Sequence, residues 1–107
     1  MGSRPKFNLT FAPEALGHLE AIEPSHHRLI EKSIDEQLTY LPQRTTRNRK
    51  ALEQPAPFGA TWELRCGPGN RFRVYYEVDL AERTVSVLAI GVKDRSRLLI
   101  GGEEFKP

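Results

Sequence analysis

The sequence predicts a small α+β fold: an N-terminal strand, a helical hairpin, and then an antiparallel strand meander forming one sheet, with the helices packed on one face. Two observations carry this prediction. Residues 6–11 alternate apolar and polar side chains, as in a strand with one buried face. The apolar spacing then becomes helical over 13–41 and alternates again from residue 61. Because the strands follow the helices as a run, the order favours α+β layers.

The helical hairpin is predicted from its start and stop signals. Pro13 suits a first helical turn, where its missing N–H is not needed, and Pro24 ends the first helix. Ser25 is expected to cap the second helix through its hydroxyl group. Pro42 ends that helix. Its apolar stripe comprises Ile30, Ile34, Leu38 and Leu41.

Three strands are predicted after residue 60, separated by a glycine turn at 67–70 and a polar turn after Asp79. In the first, Glu63 and Arg65 share one face. In the second, one face carries Arg71, Arg73, Tyr75, Glu77 and Asp79. The third, residues 84–92, is apolar almost throughout, which is typical of a central strand covered on both faces. Residues 42–59 are expected to form a short helix end and a loop, and residues 93–107 show no clear periodicity.

Length and composition limit the classes of protein that fit. A chain of 107 residues is expected to form one domain over 1–107, with residues 1–4 interpreted as disordered or as a cloning remnant. The 38% apolar and 28% charged composition excludes a disordered chain. The lone Cys66 cannot form an internal disulfide, and no apolar run approaches the ~18 residues of a membrane span. We therefore expect a cytoplasmic protein without membrane attachment.

Four pieces of the sequence match the pattern of a known family in order and spacing: "WELR", the glycine-containing turn, "FRVYYEVD" and "VSVLAIGVKDRS". Together with the order of elements, they resemble the RelE/ParE superfamily, the toxins of type II toxin–antitoxin systems. The resemblance implies a cognate antitoxin as partner and no cofactor. It also implies one of two activities: metal-free cleavage of messenger RNA on the ribosome, or, in the ParE-like branch, poisoning of DNA gyrase without nuclease activity. A degenerate member that only binds its antitoxin is a third alternative.

Matching residues imply a phosphate site. Arg73 corresponds to the arginine that contacts the scissile phosphate in the nuclease branch, and Arg65 to the arginine closing the preceding strand. Lys93 stands where nucleases commonly have arginine, and Arg95 matches a second arginine. Three positions depart from the nuclease pattern: Glu63 replaces a lysine, Val92 a histidine or lysine, and Leu99 a tyrosine. These departures leave the proton-transfer residues, and so the choice between the two activities, open.

The chemistry of RNA cleavage assigns roles to these candidates. Arg73, Arg65 and Lys93 would stabilise charge on the phosphate, and Glu63 or Glu77 would act as the base. Tyr75 would stack on a base. Further RNA-binding candidates are Arg71, Arg95, Arg47, Arg49 and Lys50. The alternative is structural: exposed cross-strand ion pairs on the sheet and a solvated basic loop.

No metal site is expected, because His18, His26 and His27 lack Cys or carboxylate partners at ligand spacing. Residues 98–102, "LLIGG", are expected to contribute to the antitoxin interface.

Overall fold

The computed structural model describes residues 4–106, so the interpretation of residues 1–3 lies outside the described part of the chain. Within that range the chain forms two α-helices and one seven-stranded sheet. The elements in chain order are β1 (Asn8–Phe11), α1 (Pro13–Glu20), α2 (His27–Leu38), β2 (Arg49–Ala51), β3 (Trp62–Cys66), β4 (Phe72–Asp79), β5 (Thr84–Asp94), β6 (Arg97–Ile100) and β7 (Glu103–Glu104).

The sheet is organised around β5. Its strand order is β2-β3-β4-β5-β6-β7, with every neighbouring pair antiparallel. One edge of β5 pairs with β4, and the opposite edge is shared by two strands. β1 runs parallel to the first part of β5, opposite Thr84–Val87, and β6 pairs with its last part, Gly91–Asp94. The predicted α+β class, the meander of β3, β4 and β5, and the central place of β5 are confirmed.

The main core lies between the helices and one face of the sheet. α2 directs Ile30, Ile34 and Leu38 inward, as its apolar stripe predicts, and each is almost fully buried. The helix-side face of the sheet supplies Leu64, Cys66, Phe72, Val74, Tyr76, Val85, Val87 and Ile90. No helix within residues 4–106 is long and apolar enough to cross a membrane.

Three details differ from the sequence prediction. Ser25 does not cap α2, because a 3₁₀ turn over Pro24–His26 precedes that helix and places His26 at its N-cap, without a side-chain hydrogen bond. The segment predicted as loop contains the edge strand β2, which continues the sheet beyond β3. The C-terminal segment forms β6 and β7. β2 and β7, with three and two residues, are too short to show alternation, and the sequence of β6, RLLI, does not alternate.

The predicted turn between β3 and β4 depends on a glycine. Gly67 has φ +81°, in the region that favours glycine, and a Cβ atom there would lie 2.5 Å from the Phe72 ring. A 3₁₀ turn over Pro68–Asn70 then leads into β4. Glycine at position 67 therefore leaves room for the ring of Phe72, the first residue of β4.

Helix α1 crosses the edge of β5 in the gap between β1 and β6. At the start of the helix, the Ala12 N–H donates to Val87 O at 2.9 Å. Near its end, the Ile90 N–H donates to His18 Nδ1 at 3.3 Å, so the imidazole must be neutral and protonated on Nε2. Burial lowers the pKa of His18 from its ordinary value of 6.5, and nearby Glu14 partly opposes this shift. The neutral ring thus satisfies a strand N–H that neither β1 nor β6 reaches.

The folding stability should therefore decrease in mild acid. At a pH between the lowered pKa of the folded state and 6.5, His18 binds more protons in the unfolded chain than in the folded chain. The contribution of His18 to the free energy of unfolding is therefore complete above pH 6.5 and is lost as the pH falls through the pKa of the folded state. Urea unfolding from about pH 8 to about pH 5 measures it. His18→Asn offers a non-titrating acceptor near the Nδ1 position and should flatten the profile, whereas His26→Asn should not. Identical profiles for wild type and His18→Asn would contradict this assignment.

Candidate functional site

The candidate site is built by the pairing of β3 with β4. Glu63 lies opposite Tyr75 and Arg65 opposite Arg73, so these four side chains share one face of the sheet. That face points away from the helices: Val74 belongs to the helix-side core, whereas its neighbour Tyr75 packs into a second apolar cluster on the far face. The predicted grouping of Glu63, Arg65, Arg73 and Tyr75 is confirmed.

Two lysines extend this group on the neighbouring strands. Lys50 of β2 lies opposite Glu63. On β5, Gly91 lies opposite Arg73, and because side chains alternate along a strand, Lys93 projects from the same face. We call this surface, formed by Lys50, Arg65, Arg73 and Lys93, the cationic face. It carries four positive side chains around one carboxylate, that of Glu63.

Glu63 lies at the centre of the cationic face and is only 5% exposed. Arg65 Nε donates to its Oε1 at 3.1 Å, and Arg73 NH1 lies 3.7 Å from its Oε2. Burial, together with the adjacent Glu63 carboxylate, raises the pKa of Tyr75, so the tyrosine hydroxyl stays protonated beside that carboxylate. Glu63 is therefore occupied in holding two guanidinium groups, which fits a positioning role better than the predicted role of a base.

The two arginines keep donors for a ligand. Arg73 is further fixed by a hydrogen bond from Nε to Asn70 O at 3.0 Å, and its side chain is 14% exposed. The Arg65 side chain is 35% exposed. A guanidinium group has five N–H donors in a planar fork that matches phosphate oxygens. Because Glu63 and Asn70 use only part of that set, both arginines can bind an anion without leaving their positions.

A cavity of about 310 Å³ adjoins the cationic face beside Lys93. Its apolar walls are Leu52, Leu98 and Phe105, which pack against Tyr75 in the second apolar cluster. Its charged lining includes Glu53 and Glu104 as well as Lys93. The positive charge is thus concentrated over β3 and β4, and the cavity side is mixed in charge. The sequence did not predict this cavity, because Phe105 lies in the C-terminal segment, which shows no periodicity.

Two predicted RNA-binding residues are not available at the cationic face. Arg71 does not share the face of Arg73, because its backbone is helical (φ −66°, ψ −34°) and interrupts the alternation. Its guanidinium lies over the Phe72 ring, 5.7 Å from the centroid, on the helix side. Tyr75 lies on the predicted face but is buried beneath it, so it cannot stack on a base as predicted. Both interpretations from sequence are wrong in geometry.

Arg49 is the third correction. It is buried, and its NH1 donates to Gln37 O at 2.6 Å and Leu41 O at 2.9 Å. Its Nε donates to Thr46 Oγ1 at 3.4 Å. The side chain thus donates to Gln37 O in the last turn of α2, where carbonyl groups lack a partner within the helix. It also donates to Leu41 O, which lies beyond the helix and accepts from the Arg44 N–H as well. Arg49 has a structural role, whereas its neighbour Lys50 is exposed on the cationic face.

The remaining candidates lie at the edges of the site. Arg95 is exposed in the turn between β5 and β6, and Arg47 is exposed just before β2. Glu77 lies on the far face but lines a separate cleft with Thr61 and Ser86. Among residues 4–106, the structure gives Glu77 no ion pair with the arginines of the cationic face. The geometry therefore groups Arg65, Arg73, Lys93 and Lys50, and leaves Glu77 apart.

Replacing Glu63 by glutamine tests the positioning role. The variant keeps the shape but removes the charge that compensates Arg65 and Arg73, so it should lower the free energy of unfolding by about 1–2 kcal/mol, after allowing for the partial exposure of Arg65. The loss should shrink in high salt, where repulsion between the two arginines is screened. Urea unfolding at two salt concentrations measures it, with exposed Glu77→Gln as control. Equal stability of Glu63→Gln and wild type would contradict the role.

Solved structures that share this fold include chains of two toxin–antitoxin complexes. A chain of the toxin–antitoxin complex RelBE2 from Mycobacterium tuberculosis superposes with a TM-score of 0.69, at 19% identity, over 87% of this chain and 98% of that chain. For a chain of the archaeal RelE–RelB complex from Pyrococcus horikoshii OT3 the TM-score is 0.64, also at 19% identity, over 85% and 99%. No protein-family profile and no curated protein matches the sequence. The chain has the RelE-like fold that its sequence resemblance predicts.

Proposed function

We propose that this protein is the toxin of a type II toxin–antitoxin pair and that it cleaves messenger RNA on the ribosome in the cytoplasm. The observation that carries the proposal is the pair of arginines, Arg65 and Arg73, fixed side by side by Glu63 on an accessible sheet face. The RelE-like fold supports it, because the two solved structures described above are toxin–antitoxin complexes. A cognate antitoxin is accordingly the proposed protein partner.

The proposed reaction is attack of an RNA 2′-hydroxyl on the neighbouring phosphate. The 2′-oxygen forms a bond to phosphorus and the bond to the 5′-oxygen breaks, leaving a 2′,3′-cyclic phosphate and a 5′-hydroxyl. Negative charge gathers on the phosphate oxygens in the transition state, where Arg73 and Arg65 donate hydrogen bonds. Lys93, whose ammonium group is a proton donor, protonates the departing 5′-oxygen. Because Glu63 is held by both arginines, the 2′-hydroxyl proton passes to solvent water.

Binding of the ribosome uses the basic residues around this site. Arg47 and Lys50 are exposed next to β3, and Arg95 is exposed at the β5–β6 turn. Lys50 belongs to the cationic face, and Arg47 and Arg95 lie at the edges of the site; all three are proposed to contact phosphates of ribosomal or messenger RNA. Such contacts release counterions, so the affinity for ribosomes should fall steeply with added salt.

A second candidate function is non-catalytic poisoning of DNA gyrase. The observation that favours it is the state of Glu63: within residues 4–106, it is the acidic residue that contacts the arginines of the cationic face, and its oxygens are already used. A face that binds anions but lacks a free base suits a binding protein as well as a nuclease. The basic character of the face favours RNA as its ligand.

Two assays separate these functions. The purified protein is added to a cell-free translation reaction, where a messenger RNA nuclease stops protein synthesis and yields RNA fragments ending in a cyclic phosphate. It is also added to a supercoiling reaction with DNA gyrase, which it should leave unaffected. Inhibition of gyrase with intact messenger RNA would replace the first function by the second. If the protein were inactive in both assays, antitoxin binding would be the one proposed function that remains.

A further inference from the structure

A cavity of about 240 Å³ lies on the helix side of the sheet, away from the cationic face. It is enclosed by the end of α1, the 3₁₀ turn that follows, the start of β4, and the β5–β6 pair. The proposed RNA chemistry uses none of its lining residues. Its apolar floor comprises Ile22, Phe72, Ile90, Val92 and Leu99.

His18 presents a proton donor to this cavity. Its Nδ1 accepts the Ile90 N–H, so the proton of the neutral ring is on Nε2. Within residues 4–106 this N–H has no acceptor. The turn between β6 and β7 keeps the atom accessible, because a Cβ at Gly101 would lie 3.2 Å from His18 Cδ2 and 3.9 Å from Nε2. The Nε2–H is therefore available to a ligand.

Two further polar groups line the cavity around the Phe72 ring. Arg71 is exposed, and its guanidinium lies 5.7 Å from the ring centroid. Whereas Glu63 pairs with the arginines of the cationic face, no carboxylate within the described chain forms an ion pair with Arg71. The His26 ring lies 5.2 Å from that of Phe72, and its nitrogens have no hydrogen-bond partner among residues 4–106. The cavity thus combines one planar cation and two imidazole groups with an aromatic floor.

The size and lining of the cavity indicate which ligand fits. The volume is below the ~300–1,000 Å³ of pockets that bury drug-sized ligands, so the cavity has room for one small ring system. Its aromatic and aliphatic floor favours a planar ring. A guanidinium and two imidazole groups provide more donors than one carboxylate needs, and they match the several oxygens of a phosphate. Among the described lining residues, Glu23 is the one acid that opposes them.

We propose that this cavity binds a mononucleotide, with the base on the apolar floor and the phosphate held by Arg71 and the imidazole groups of His18 and His26. The site does not rest on the proposed nuclease function, because it uses different residues. Since the cavity and the cationic face lie on opposite sides of the sheet, a bound mononucleotide leaves the phosphate-binding arginines of the cationic face uncovered.

The test is a titration of the full-length wild-type chain with AMP and with UMP, followed by the amide NMR signals of Ile90, Gly101 and Gly102. These signals should shift and saturate with a Kd of about 1 mM or lower. Adenosine lacks the phosphate and inorganic phosphate lacks the ring, so each should bind at least ~10-fold more weakly. The amide signals of Glu63 and Arg73 report separately on any binding at the cationic face.

Three variants locate the site. Arg71→Gln removes the charged donor at an exposed position and should weaken AMP binding by at least ~10-fold. Ala21→Glu places a carboxylate in the lining, on an ordinary helical backbone (φ −75°, ψ −7°), and should weaken binding to a similar degree. Arg44→Gln, which is exposed and outside the lining, is the charge control and should change the affinity by less than ~3-fold.

Equal AMP affinity of Arg71→Gln and wild type, or shifts confined to Glu63 and Arg73, would overturn the proposal. Inorganic phosphate that bound as tightly as AMP would overturn the nucleotide assignment. A 5′-phosphorylated RNA tetranucleotide identifies the source of the nucleotide, since tighter binding than AMP at the same signals supports the end of an RNA strand, and equal or weaker binding supports free nucleotides. Cleavage of messenger RNA is a separate readout, so either proposal can fail without the other.

Discussion

Replacing Arg73 by alanine is expected to reduce the rate of messenger RNA cleavage on the ribosome by about 10²–10³-fold. Arg73 is the less exposed arginine of the cationic face, and both Glu63 and Asn70 O fix its guanidinium group. A donor held in place before the reaction stabilises the developing phosphate charge without reorganisation. The rate of fragment formation in a cell-free translation reaction measures the effect. Circular dichroism of the variant shows whether the fold is kept.

Two control variants separate geometry from charge at this position. Arg73→Lys keeps the positive charge but loses the planar fork, so it should recover only part of the rate. Arg71→Ala removes an arginine two residues away whose side chain lies on the helix side, and should change the rate by less than ~3-fold. If Arg73→Ala cleaved as fast as wild type and Arg71→Ala were impaired, the phosphate site would lie on the helix side of the sheet, and the proposed assignment to the cationic face would be wrong.

Arg49→Met should give the largest loss of stability among single changes at the basic residues. The variant keeps an unbranched, flexible side chain without the guanidinium group, so the Gln37 carbonyl loses its side-chain donor and the Leu41 carbonyl keeps only the Arg44 N–H. Hydrogen bonds that involve a charged group are worth about 1.5–3 kcal/mol each, so we expect a loss of about 2–4 kcal/mol in the free energy of unfolding. Urea unfolding followed by tryptophan fluorescence of Trp62 measures this change.

The matched control is Arg47→Met, two residues earlier and exposed. It should leave the free energy of unfolding within about 0.5 kcal/mol of wild type, because surface changes of this kind have small effects. It should instead weaken binding to ribosomes, in keeping with its proposed contact to RNA. If Arg49→Met proved as stable as Arg47→Met, the anchoring of the α2 carbonyl groups would be unimportant.

The sequence predicted on which face of the sheet a side chain lies wherever apolar and polar residues alternate strictly within a strand. Glu63 and Arg65 are two apart in β3, and Arg73 and Tyr75 are two apart in β4, so the pleat alone places each pair on one face. Arg71 does not follow this alternation, because it lies in the turn before β4 and has a helical backbone. Alternation predicts the direction of a side chain only inside the strand, and β4 begins at Phe72, one residue after Arg71.

Burial of polar residues was not predictable from local sequence. Arg49 reads as part of a basic loop, yet it is buried against the end of α2, which lies next to it only in the folded chain. Likewise, Tyr75 appears as an exposed aromatic residue until β6 and the C-terminal Phe105 segment cover its side of the sheet. The parallel pairing of β1 with β5 also joins residues far apart in sequence. Each of these features depends on tertiary contacts.

Fold and activity rest on different evidence. The likeness to two solved chains at 19% identity shows the RelE-like fold, whereas a fold by itself does not specify chemistry. The activity is inferred from the site: two guanidinium groups fixed by a buried carboxylate beside two lysines. Where the family resemblance implies a lysine, this chain has Glu63, and its carboxylate holds the two arginines in place.

The central claim, that the cationic face cuts translated messenger RNA, is tested most directly by primer extension on a messenger RNA in the presence and absence of ribosomes. Wild-type protein and Arg73→Ala are compared at equal concentration. We expect cuts within the translated region that require ribosomes and are lost in the variant. Uncut messenger RNA with folded wild-type protein, free of antitoxin, would contradict the nuclease assignment and would direct attention to gyrase.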